Sequence, residues 1–120
     1  MFLDKDALSN SLKNKYLLVV VGKLQDEYRS IIKHTLNLYD KSKNYVGESH
    51  IEGSFYKDMS RGLKSLYGIK ENTSVMFFKN GFLEHKRQGD EVLFNKRSNI
   101  NDVIHNILDI HLPMYSRLGK

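Results

Sequence analysis

The chain has 120 residues, 40% of them hydrophobic and 28% charged, with no cysteine, no tryptophan and a single proline. That size and balance fit one globular domain, residues 1–120, able to bury roughly two-thirds of its surface without a disulfide or metal staple. The absence of cysteine excludes disulfide exchange, thiolate metal ligation and cysteine nucleophiles within this chain.

The formal charge of +5 is uneven: residues 1–60 carry nine Lys/Arg against eight Asp/Glu, and residues 61–120 carry ten against six. A mildly basic balance favours anionic partners only weakly. The first fourteen residues contain Asp4, Lys5, Asp6 and Lys13 and no apolar run of signal-peptide length. The longest apolar stretch, Tyr16–Val21, falls far short of the ~20 residues of a membrane span. The expectation is a soluble chain without a membrane span, with the cytoplasm the favoured compartment.

In chain order, Phe2–Asn14 reads as a short amphipathic helix with Leu3, Ala7, Leu8 and Leu12 along one side. Tyr16–Val21 is a continuous apolar, β-branched run, the pattern of a strand covered on both faces, and Gly22 ends it. From Gln25 to about Lys43, Tyr28, Ile31, Ile32, Thr35, Leu36 and Tyr39 share one helical face; Lys33, Asn37, Asp40 and Lys41 share the other. Tyr45–Ile51 suits a second strand, closed by Gly53, and Asp58–Tyr67 a helix stopped by Gly68.

Ser74–Phe78 predicts a third strand, and Asn80-Gly81 a type I′ turn, since that dipeptide tolerates positive φ at both positions. Phe82–Arg87 is the return strand, and Glu91–Phe94 extends the sheet. Ser98 or Asn99 caps a final helix with the stripe Ile100, Val103, Ile104, Ile107 and Leu108, and Asp102 sits in its first turn. The segment from Leu112 to Lys120 is either a frayed tail or one docked on a partner. A βαβ unit demands a parallel pair and the hairpin an antiparallel one, so the fold expected is a mixed sheet of four to five strands with helices on both faces.

The order of elements, with Leu66-Tyr-Gly-Ile and Phe78-Lys-Asn-Gly81 bracketing the third strand, resembles thioredoxin over roughly residues 16–110. The resemblance implies an α/β, thioredoxin-like fold. Two signature features are absent. Where that family places Cys-x-x-Cys, this chain reads Gly22-Lys-Leu-Gln-Asp-Glu-Tyr28. Where the family has a cis-proline it has Thr73, for which a cis bond would cost ~2.5–4 kcal/mol. Disulfide reductase chemistry is therefore excluded.

A narrower resemblance is to the uncharacterised cysteine-poor thioredoxin-like domain of short bacterial proteins and of sushi-repeat-containing proteins. It rests on Lys15–Val21, Gln25–Arg29 and Ile107–Met114. It carries over no catalytic residue.

The remaining constellations favour structural roles. His34, His50, His85, His105 and His111 are scattered, with none of the converging spacing a zinc site needs, and read as surface histidines. Asp26 and Glu27 suit a helix start, Asp90 and Glu91 are a second adjacent pair, and no nucleophile elbow or phosphate-cradling glycine loop is present. Lys79, Lys86, Arg87, Lys96 and Arg97 lie around the hairpin near Phe82 and Phe94, a pattern suited to anions. It is more commonly the pattern of a solvated, protected sheet edge, and Lys86 and Arg87 point to opposite faces of a strand.

The expectation is a module without catalytic activity, without metal or cofactor, that holds a protein partner. Its surface is the loop Gly22, Lys23, Gln25 and Asp26 with Asn72 and Thr73 of the facing turn. The alternative is a nucleic-acid-associated protein using the basic second half.

Overall fold

The computed structural model describes residues 2–43, 50–92 and 97–112. Its centre is β2 (Tyr16–Val21), six residues all buried. Their alternation divides the interior in two. Tyr16, Leu18 and Val20 face a cluster with Ile32, Leu36, Tyr39, Val75, Phe77 and the stripe Ile100, Val103, Ile104, Ile107 and Leu108. Leu17, Val19 and Val21 face a second cluster with Leu3, Leu8, Met59, Leu63, Ile69, Met76 and Phe78. Full burial of one such side chain contributes ~1.5–3 kcal/mol, so this strand anchors both halves of the core.

The main sheet has the order β3-β2-β5-β6, with β3 (Ile51–Tyr56) parallel to β2, and β5 (Ser74–Lys79) antiparallel to both β2 and β6 (Phe82–Gln88). Helices α2 (Asp26–Lys43) and α4 (Arg97–His111) cover one face; α1 (Lys5–Ser11) and α3 (Arg61–Tyr67) cover the other. The mixed sheet with helices on both faces is as the sequence implies. Asn80 (φ 53°) and Gly81 (φ 85°) make the hairpin turn through the positive-φ region, and Gly68 (φ 68°) closes α3.

Several boundaries differ, each for a local reason. Residues Phe2–Leu3 form β1, paired in parallel with β4 (Asp58–Met59) as a separate two-stranded sheet. The first helix therefore begins after Asp4, whose carboxylate accepts from Ala7 N–H at 2.9 Å. Likewise α3 begins after Ser60, whose hydroxyl accepts from Leu63 N–H at 3.3 Å. The second strand of the sequence reading is displaced: β3 runs through Gly53 instead of ending there. At Gly53 a side-chain carbon would lie 2.7 Å from Leu36 Cδ1, so glycine lets α2 approach the strand.

Gly89–Glu91 form a 3₁₀ turn instead of prolonging the sheet, because the Glu91 carboxylate accepts from Gln88 N–H at 3.1 Å. The last helix starts at Arg97, so Ser98 and Asn99 lie inside it, and Asp102 falls in its second turn, away from the N-terminal dipole. Leu112 is buried in the core. The expected strand start at Tyr45, the extension through Leu93 and Phe94, residue Lys96 and the tail after Leu112 lie outside the described residues.

Histidines expected on the surface are in part knitted into the fold. His85 Nδ1 lies 2.9 Å from His111 Nε2, and the His111 ring stacks on Phe77 at 5.4 Å. Arg87 Nε can only donate, and it reaches His85 Nε2 at 3.3 Å. The His85 proton therefore sits on Nδ1 and is donated to His111. Burial, with His111 and Arg87 adding to it, pushes the His85 pKa below its usual value of 6.5. His105 Nδ1 and the Asp109 carboxylate both meet the Tyr39 hydroxyl, at 3.0 and 2.7 Å.

Candidate functional site

At the C-terminal ends of β2 and β3 the chain turns outward, the position where open α/β sheets offer a crevice. Gly22 makes the turn with φ 135°, a conformation side-chain-bearing residues rarely adopt, while its N–H still bonds Tyr56 O at 2.8 Å. Lys23, Leu24 and Gln25 then lead into α2, whose first turn carries Asp26 and Glu27. Across the ladder Val21 faces Ser74, which brings Thr73 beside Gly22.

The facing turn is held from below. Gln88 Oε1 accepts from Lys70 N–H (2.7 Å) and Glu71 N–H (3.2 Å), its Nε2 donates to Gly68 O (3.1 Å), and Gly89 N–H bonds Thr73 O (3.0 Å). Among the described residues every peptide bond is trans, Thr73 included.

Two adjoining depressions result. The larger, about 790 Å³, is lined by Val20, Gly22, Lys23, Leu24, Gln25, Arg29, Lys33, Phe55, Tyr56 and Lys57. The smaller, about 450 Å³, is lined by Gly22, Lys23, Lys57, Asp58, Asn72 and Thr73. The structure thus gathers Gly22, Lys23, Gln25, Asn72 and Thr73, the loop residues picked out in the sequence. Asp26 stands at the rim, its side chain 95% exposed and 3.5 Å from Arg29 Nη1.

The residues missed from sequence are Arg29, Lys33, Phe55 and Lys57. Arg29 and Lys33 lie one helical turn apart on α2, and each places its cation 5.7 Å from the centre of the Phe55 ring. The signal available was the i, i+4 spacing of the two basic residues. Their convergence with Lys57 depends on β3 running to Tyr56, which the sequence reading placed elsewhere. Four cations line the larger depression and, among its described lining residues, no carboxylate. In the smaller one Asp58 is paired with Lys64 at 3.2 Å; its bond from Met59 N–H, and then Lys64, hold its pKa below 3.8.

Among the described basic residues of the second half, Lys86 and Arg87 are tied to opposite faces of β6. The Lys86 ammonium donates to Tyr67 O (2.7 Å) and Gly68 O (3.3 Å) at the C-terminus of α3. Arg87 points to the other face of the strand and donates to Asn106 Oδ1 at 2.8 Å. Lys79 stands at the end of β5 beside the hairpin, Arg97 opens α4, and Lys96 is outside the described residues. No helix among the described residues is long and apolar enough to cross a membrane, and no group of three or more metal-ligating side chains gathers there.

No family model matches the chain, and no curated protein matches it. Solved structures do. The chain superposes on Plasmodium falciparum thioredoxin with a TM-score of 0.52 at 13% identity, covering 88% of this chain and 96% of that one. Chlamydomonas reinhardtii thioredoxin f2 gives a TM-score of 0.52 at 14% identity, covering 94% of this chain and 96% of that one. At such identity the likeness is one of architecture. Together with the β3-β2-β5-β6 sheet and its helices on both faces, it shows that this cysteine-free chain has the thioredoxin fold.

Proposed function

We propose that this domain is a non-catalytic module that holds a protein partner in the depressions at the ends of β2 and β3. The observation that carries the reading is their placement: a concave surface on the most deeply buried strand, walled by a braced turn, with no sulfur for exchange. A mixed apolar and basic lining suits a polypeptide segment better than a reaction centre, which calls for a nucleophile or a paired acid and base. The nucleic-acid alternative has less support, because Lys86 and Arg87 are tied to opposite sides of β6.

The test is site-specific photo-crosslinking in the native host, with a photoreactive residue at Gln25 or Asn72 and a control at Lys86, after nuclease treatment. A discrete protein adduct at Gln25 and Asn72 but not at Lys86 supports the module. Adducts lost to nuclease, or equal at all three positions, refute it.

A further inference from the structure

We infer that the larger depression takes an extended acidic segment of a polypeptide, with carboxylates at successive same-side positions and an apolar side chain among them. This rests on the reading that the depression is a binding surface. Its cations are strung along a trough. Arg29 and Lys33 stand on one helical turn of α2, ~5–6 Å apart at their Cβ atoms, and Lys23 and Lys57 occupy the end shared with the smaller depression. Same-side residues of an extended chain recur every ~6.6 Å, close to the step between the two α2 cations.

Arg29 is under-used within the chain. Its Nε–H is buried without an acceptor among the described residues, and the Asp26 carboxylate it meets at 3.5 Å is almost fully solvated. Such an exposed pair is weak and readily exchanged for an incoming carboxylate that engages the guanidinium in two places. Phe55 beneath holds both α2 cations in position, and Val20 and Leu24 supply an apolar floor. Because the Phe55 ring is already engaged by cations, it is a poor platform for stacking bases, which favours an acidic peptide over a single-stranded nucleic acid. The acids nearby stand at the margins: Asp26 and Glu27 in the first turn of α2, and Asp58 turned to Lys64.

The experiment titrates the full ¹⁵N-labelled chain with a short peptide alternating glutamate and leucine. Its glutamine counterpart, inorganic phosphate and an oligothymidylate of equal length are the comparisons. The glutamate peptide is expected to bind, with amide shifts centred on Gly22–Lys33 and Phe55–Lys57, at least about tenfold more tightly than each of the others, and more weakly as salt rises. The double substitutions Arg29→Gln with Lys33→Gln and, separately, Lys23→Gln with Lys57→Gln each weaken it about tenfold, while Lys86→Gln with Arg87→Gln leaves it unchanged. The inference is overturned by no binding of the glutamate peptide, by equal binding of the glutamine peptide, phosphate or the oligothymidylate, or by full affinity in both trough variants. Crosslinks at Gln25 without peptide binding would sink the acidic-segment inference alone. Peptide binding without any protein crosslink would sink the module reading alone.

Discussion

Two basic regions of this molecule behave in opposite ways. The second half of the chain holds most of the excess positive charge, yet Lys86 is spent on the carbonyl end of α3 and Arg87 on Asn106 and His85. The first half is close to neutral, yet contributes all four cations of the trough: Lys23, Arg29, Lys33 and Lys57. Charge counted along a chain is therefore a poor guide to local potential, which depends on which side chains a fold turns toward one place. The β6–α4 edge is stitched together, whereas the mouth above β2 is left open.

If that contrast is right, substitutions should separate stability from binding. The largest effect belongs to the core against which β6 and α4 pack. Phe77→Ala removes a fully buried ring stacked between Tyr16 and His111, and should cost about 3–5 kcal/mol in urea unfolding. A loss below about 1 kcal/mol would mean that the Tyr16–Phe77–His111 packing does not anchor the core beneath β6 and α4. At the mouth, Gly22→Val forces a β-branched side chain into φ 135°, with an expected loss of about 1–3 kcal/mol by the same measurement.

The histidine pair gives a smaller effect with a defined sign. The folded His85 pKa lies below 6.5, so the neutral ring is the one the fold prefers. Its contribution is complete above about pH 6.5 and is lost as pH falls from there through the folded value. The thermal midpoint should drop more steeply on mild acidification in the parent chain than in His85→Gln. Parallel profiles would show that the His85–His111 contact does not sense pH. The smallest change is expected at Lys33→Gln, where stability should stay within about 0.5 kcal/mol while glutamate-peptide affinity falls.

Legibility in the sequence followed locality. The strand Tyr16–Val21, the Asn80-Gly81 turn and the stripe of α4 were readable because each signal lies within one short segment. The strand β3 was misplaced because Glu52, Gly53 and Ser54 look like a loop; they form a half-buried edge strand whose glycine admits Leu36. Strands β1 and β4, two residues each, are too short for any periodicity to reveal. The loop half of the site, Gly22–Gln25 with Asn72 and Thr73, was legible through the resemblance. The cationic half was hidden, since it joins a helix face to the end of that misplaced strand. His85 and His111, 26 positions apart, carry no sequence sign of their contact.

The total burial of β2 has one more consequence. Hydrogen-bonded to a neighbour on each side and packed on both faces, it can exchange its amide protons only when the whole domain opens. If the depressions above it bind a segment as proposed, such a base would keep their shape between encounters. The entropy of ordering then falls on the incoming segment, so stiffening that segment, by cyclisation for instance, should tighten the complex more than any rigidifying change in this chain.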